Sequence, residues 1–276
     1  MTENHLNPWF LEFTKENLKQ RKSWYSSVAE AYNQVRPGYS QEIIASAIKL
    51  AHLNPETTKI LEIGCGPGNA TVAFAKLGFS MICLEPNQDF CQLARQNCHN
   101  YPQVEIINTS LEEWQLIPEK FDAVLAANSW HWLPPEISYD KASQSLKDRG
   151  HLILLWNMNP EPSEEISQLL AEVYQQYAPL LFKYEGKENQ KYLNIFADHV
   201  LNSGKFGELV TQQFPCEANY SIDHYLTLLN TMSPYLNLEP QIKNDLFTGL
   251  KEKIINNCGD NLQLFYLSAC QVARTI

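Results

Sequence analysis

The chain predicts an α/β protein built on a doubly wound, seven-stranded, mostly parallel sheet. Strand-length apolar runs alternate with helix-like segments through the first 157 residues, the pattern of a parallel sheet covered on both faces. The first run, Lys59 to Ile63, leads directly into a glycine-rich loop and a helix-like stretch, and two more strand-like runs come late in the chain. A length of 276 residues suits one such sheet with an insert.

Strands are expected at "KILEI" (59–63), "MICLE" (81–85), "VEIIN" (104–108), "FDAVLAA" (121–127) and "HLILLWN" (151–157). "ELVTQQFPCEANYSI" (208–222) and "LQLFYLSACQVARTI" (262–276) complete the sheet, antiparallel at or near one edge. Ahead of the first strand, apolar residues at 43, 44, 47, 48 and 51 form a helical stripe ended by Asn54-Pro55. The segment 69–78 opens with Asn69 as cap and closes at Gly78. The segment 87–98 opens with Asn87, carries Asp89 in its first turn, and sets Phe90, Cys91, Ala94 and Cys98 on one face. After Asn157 the rhythm changes. Prolines and a Ser163 cap introduce a helix with Ile166, Leu169, Leu170, Val173, Tyr174 and Tyr177 on one side, an inserted helical cap. A polar surface loop at 183–191 and helices near 222–231 and 239–256 follow.

Composition excludes several classes. A net charge of −10 offers nothing to a polyanion, so nucleic acid is not an expected partner. No segment approaches eighteen consecutive apolar residues and the first residues lack a secretory pattern, so no membrane association and a cytoplasmic location are expected. The cysteines, at 65, 83, 91, 98, 216, 258 and 270, form no C-x-x-C pair and read as free thiols. The histidines show no H-E-x-x-H spacing, so no metal is expected.

The loop Gly64-Cys65-Gly66-Pro67-Gly68 places three positions without a Cβ at the end of the first strand, where a ligand can touch main chain. A dinucleotide fingerprint wants its third glycine at position 69, which is Asn69, and no G-K-[ST] follows as a P-loop requires. A tight strand-to-helix turn that uses glycine for packing is the other reading of the same loop. Glu85, at the tip of the second strand, suits a ribose diol through its two oxygens, or caps the helix that starts near Asn87.

The G-x-G-x-G spacing, with Glu62 two residues before it and Glu85 seventeen residues after Gly68, resembles the first motifs of class I S-adenosylmethionine-dependent methyltransferases. "AEAYNQVRPGYS" (29–40), "AANSWHWL" and "HLILLWN" are similar to a bacterial and fungal branch that includes relatives of trans-aconitate methyltransferase. The resemblance implies a Rossmann-like methyltransferase fold with S-adenosyl-L-methionine as cofactor and a small-molecule methyl acceptor, by O- or N-methylation, a carboxylate included. It implies Glu62 near the methionine amino group, Gly64, Cys65, Gly66 and Gly68 along the cofactor, and Glu85 with Pro86 at the ribose. Ser110 and Leu111 would lie at adenine and Asn128 near the methionine, with Tyr32 and Arg36 closing over the whole. The branch often has proline where Ser40 stands.

Trp130 and His131, in the exit loop of the fourth strand, are placed by the same resemblance at the reacting end. His131 is the candidate catalytic base, or shapes the pocket through hydrogen bonds. Tyr25, Tyr32, Tyr39, Trp130 and Trp132 suit a methylsulfonium pocket and also suit ordinary core. The expected organisation is a helical lid and packing helix (1–57), a cofactor-binding core (58–157), a helical cap (158–205) and the completion of the sheet (206–276), as a monomer or dimer. A non-catalytic S-adenosylmethionine or S-adenosylhomocysteine binding protein would keep the same loop. A nicotinamide oxidoreductase is disfavoured by Asn69 and by the lack of a credible Tyr-x-x-x-Lys.

Overall fold

The computed structural model describes residues 22–182 and 189–276. Its centre is one seven-stranded sheet of order β3-β2-β1-β4-β5-β7-β6. The strands are β1 (Lys59–Ile63), β2 (Ser80–Leu84), β3 (Val104–Ile107), β4 (Phe121–Ala127), β5 (Leu146–Asn157), β6 (Phe206–Ser221) and β7 (Asn261–Thr275). The first five run parallel. β7 runs antiparallel between β5 and β6. β6, antiparallel to β7, therefore points the same way as the parallel five, so only one of the two late strands opposes the sheet. β5 also begins earlier than its apolar run at His151 indicates, because Leu146 pairs with Phe121 across a register shift.

Alternation along the strands feeds two cores. Leu61, Ile63, Val124, Leu152 and Leu154 pack on one face, and Ile60, Ala123, Leu125, Ile153 and Leu155 on the other. The helices α1 (Ala29–Val35), α2 (Gln41–Leu50), α3 (Asn69–Ala75), α4 (Gln88–Asn97) and α5 (Pro135–Ser145) belong to this framework. Ser40 caps α2 by accepting a hydrogen bond from the Ile43 N–H, which gives a job to the residue that stands where the resembling branch has proline. The cap of α3 is Gly68, in the left-handed region at φ 94°, and not Asn69, which is the first helical residue.

A third core lies beyond the sheet. Leu170, Tyr174, Tyr225, Leu228, Leu246 and Leu250 join α6 (Glu164–Tyr177), α8 (Ile222–Asn230) and α10 (Pro240–Cys258). α7 (Asn189–Asn202) buries Leu193 and Val200 against the first core, and the short α9 (Ser233–Leu236) follows α8. Among the described residues no helix is long and apolar enough to cross a membrane. The expected surface loop at 183–191, and the first residues of the expected lid, fall largely outside the described residues.

Candidate active site

The chain leaves β1 toward β2 and β3 on one side and resumes through β4 and β5 on the other, so a crevice opens between the ends of β1 and β4. Gly64, at φ 67°, lies at this switch point. A Cβ there would stand 2.7 Å from the Ser129 Cβ, and the Ser129 hydroxyl donates to the Ile63 carbonyl just before it. Gly64 is therefore a close crossing of two strand exits. Gly66, at φ 56°, is different: a Cβ on it would meet nothing within 4 Å. Main chain is bare there toward open space, a cradle that any side chain would partly fill.

Glu85 is buried behind this cradle. Its Oε2 accepts the Gly66 N–H and its Oε1 the Asn87 N–H, both at 2.8 Å. The carboxylate thus locks the loop after β1 to the tip of β2 and faces the crevice with its remaining lone pairs. Burial pushes its pKa up to about 7 against the pull of those two N–H groups. Glu62 has the same raised pKa of about 7 from burial, and a different position. Its Oε2 accepts from the Thr71 hydroxyl at 2.6 Å and from the Cys83 thiol, tying β1 to α3 underneath the loop.

The loop after β1 and Glu85 border a cavity of about 750 Å³, near the upper end of ordinary small-molecule sites. Of the residues expected at the site, Tyr32, Arg36, Gly64, Cys65, Gly66, Glu85, Pro86, Ser110, Leu111, Asn128 and His131 are on its wall. Glu62, Gly68 and Trp130 are not. Glu62 is fully buried below the loop, Gly68 lies against Ala94 and Cys98 of the α4 region, and Trp130 turns into the core onto Tyr139 at 5.3 Å. Within the 3-10 turn Trp130–Trp132, His131 and Trp132 are the residues that reach the cavity.

The turn after β3 is held from outside. Lys141 of α5 donates its ammonium hydrogens to the carbonyls of Leu111, Glu112 and Trp114 at 2.8–2.9 Å, a tripod that fixes the segment carrying Ser110 and Leu111. Asn128, at φ 50°, pairs both ends of its amide with the Asn157 main chain at 2.8 Å. The Asn157 amide in turn donates to the carbonyls of Pro37 and Gly38. This pins the segment after α1 to the sheet. Arg36 donates to the Thr231 hydroxyl and carbonyl at 3.0 Å and stands over the Tyr32 ring, and the Tyr25 and Ser233 hydroxyls share a hydrogen bond. Tyr25, Tyr32 and Phe90 cluster at centroid distances of 5.1–5.9 Å.

His131 sits among rings, 5.4 Å from Trp132, 5.8 Å from Trp156 and 6.4 Å from Phe196. Burial among them lowers its pKa to about 4. The imidazole is neutral throughout the physiological range, so the expected titration close to neutrality is displaced well below it.

Comparison with known proteins bears on the same stretch of chain. Residues 60–150 match the family model described as a methyltransferase domain. Over that stretch the chain is similar to a methyltransferase domain. Over 137 residues it is 28% identical to an uncharacterized methyltransferase of Mycobacterium bovis, covering 50% of this chain and 53% of that protein, so the match spans about half the length of that relative. A methyltransferase-like protein of Schizosaccharomyces pombe is 27% identical over 84% of this chain and 85% of its own length. A Saccharomyces cerevisiae protein described as a probable S-adenosylmethionine-dependent methyltransferase is 25% identical over 69% and 68%.

Among solved structures, one from Anaeromyxobacter dehalogenans, provisionally classed as a type II methyltransferase, superposes with a TM-score of 0.64 at 18% identity over 87% of this chain and 97% of that one. A Haemonchus contortus phosphoethanolamine N-methyltransferase, with S-adenosylhomocysteine bound, gives 0.51 at 15% identity over 96% and 59%. These likenesses establish the fold. The stretch matched to that model contributes the loop after β1, Glu85, the turn held by Lys141 and the β4 exit with Asn128, His131 and Trp132, whereas Tyr32, Arg36, Trp156, Tyr174, Phe196 and Tyr235 come from outside it.

Proposed function

We propose that the chain is an S-adenosylmethionine-dependent methyltransferase acting on a small-molecule acceptor. The observation that carries this reading is Glu85, a buried carboxylate fixed by two main-chain N–H groups beside the open cradle at Gly66. That arrangement fits a ribose diol, which donates two hydrogen bonds, next to a sulfonium-bearing chain laid along bare backbone. Ser110 and Leu111 would flank adenine and Pro86 the ribose. Cys65 and Asn128 would border the methionine part, under a roof of Tyr32 and Arg36. Glu62 would act on the ligand only through the loop it supports.

Bound S-adenosylmethionine supplies an electrophilic methyl group, already activated by its sulfonium charge. The protein's tasks are then to align, to exclude water and to handle one proton. Trp132, Trp156 and Phe196 keep the reacting end dry. His131 offers an imidazole lone pair to an acceptor O–H or N–H, orienting its lone pair for attack and passing the released proton on. A cavity of about 750 Å³ leaves room for an acceptor beside the cofactor, which favours an enzyme over a purely cofactor-binding protein. Transfer to oxygen or nitrogen is the form this supports.

Titration calorimetry with S-adenosylhomocysteine tests the reading. One site per chain is expected, with Glu85→Ala weakening it at least tenfold because a charge-assisted contact is lost. The carboxylate form is the acceptor and its pKa is about 7, so affinity should rise from pH 6 to pH 8. A folded Glu85→Ala variant with unchanged affinity would overturn the ribose assignment.

A further inference from the structure

Beyond the cofactor groups, the cavity continues under the cap, where two kinds of wall meet. One is an aromatic stack. Trp156 of β5 and Phe196 of α7 stack with centroids 4.2 Å apart and planes 7° from parallel, beside His131 and Met158. The other is a tyrosine floor. The hydroxyls of Tyr174 and Tyr235 lie 2.7 Å apart, Tyr225 shares a hydrogen bond with Tyr174, and all three residues border the cavity.

Resting on the methyltransferase reading above, we propose that the acceptor is an uncharged, ring-bearing small molecule whose hydroxyl docks on the Tyr174–Tyr235 pair. Three physical arguments carry this. An aromatic stack rewards a flat apolar ligand that extends it, through burial and offset stacking. Phenolic hydroxyls both donate and accept, so a neutral hydroxyl can enter their hydrogen-bond chain without leaving an orphan group. A carboxylate, in contrast, needs a cation when it is taken out of water. Arg36 is the one lysine or arginine among the described wall residues, and its guanidinium is engaged by both Thr231 oxygens, while Glu85, Glu112 and Glu161 also border the space.

The hydroxyl docked on the tyrosines anchors the ring, and the chemistry this supports is O-methylation of a separate acceptor hydroxyl at the His131 end. The new bond forms between the methyl carbon and the acceptor oxygen as the carbon–sulfur bond breaks. The sulfonium becomes a neutral thioether, and the hydroxyl proton leaves by way of His131 to solvent.

The test uses the full chain saturated with S-adenosylhomocysteine and three probes: 2-naphthol, 2-naphthoate and propane-1,2,3-tricarboxylate. The first two share a ring system and differ in charge. Calorimetry should show 2-naphthol binding at least about tenfold tighter than 2-naphthoate, with the tricarboxylate weakest. Tyr235→Phe and Phe196→Ala should each weaken 2-naphthol several-fold and leave S-adenosylhomocysteine affinity unchanged. Equal or tighter binding of either carboxylate, no binding of 2-naphthol to the saturated protein, or an unaltered 2-naphthol affinity in folded Tyr235→Phe overturns the proposal. Failure of S-adenosylhomocysteine itself to bind would instead overturn the cofactor reading.

Discussion

Replacing His131 with asparagine should change how stability depends on pH, and the size of that change follows from where the ring sits. Burial among Trp132, Trp156 and Phe196 lowers the imidazole pKa from 6.5 to about 4. Above pH 6.5 the ring is neutral in both folded and unfolded chains, and the folded state loses nothing. As the pH falls below 6.5 the unfolded chain takes up a proton that the folded chain refuses. Stability is then lost at about 1.4 kcal/mol per pH unit until the folded pKa is reached. Between pH 8 and pH 5 this amounts to about 2 kcal/mol, present in the wild type and missing from His131→Asn. Other groups titrate in both proteins and cancel in the comparison. Urea unfolding of the two at pH 8, 6.5 and 5 is the assay, and the quantity read is the difference between their pH slopes. A constant offset reports only the packing of the new side chain. Parallel slopes would show that the imidazole is not held neutral, and the role assigned to it as a low-basicity proton acceptor would fall with that result.

Two further outcomes are expected. Gly64→Ala should lose about 2–4 kcal/mol, since a Cβ 2.7 Å from Ser129 adds a clash to left-handed strain, whereas Gly66→Ala should lose about 1–2 kcal/mol from strain alone. Urea melts that rank them equally would contradict the distinction between a crossing and a cradle. Asn157→Ala should raise amide exchange in residues 34–41 at least tenfold by freeing the Pro37 and Gly38 carbonyls. Unchanged protection would mean that Arg36 and the Tyr220–Val35 contact hold the segment alone.

Much of this architecture is legible in the residues because it rests on local regularities. β1 and β4 coincide with their apolar runs, and Asn87 does cap α4, because strand length and cap chemistry are short-range properties. Spacing also marks the glycine loop, and the resemblance marks Glu85. What escapes is whatever depends on a partner distant in sequence. Glu62 reads as a ligand group, and only the structure shows its Oε2 taken by Thr71 and Cys83. Trp130 and His131 are adjacent, and only the 3-10 geometry separates the one that faces the core from the one that faces the cavity. Lys141 is an unmarked lysine, which no spacing rule singles out, until three carbonyls converge on it.

The placement of β7 bears on how the protein comes into being on the ribosome. β7 follows β6 in the chain yet lies between β5 and β6, paired with β5 from His151 to Asn157 and with β6 along most of its length. The glycine loop, Glu85 and the turn held by Lys141 are all synthesised more than a hundred residues earlier, and the parallel strands that carry them can associate first. Until Asn261 to Thr275 have emerged, β5 keeps an open edge along Leu152, Ile153, Leu154 and Leu155, a run of the kind that recruits strands from other chains. A chain shortened before Asn261 would hold most of the residues that line the crevice and would still be prone to aggregate.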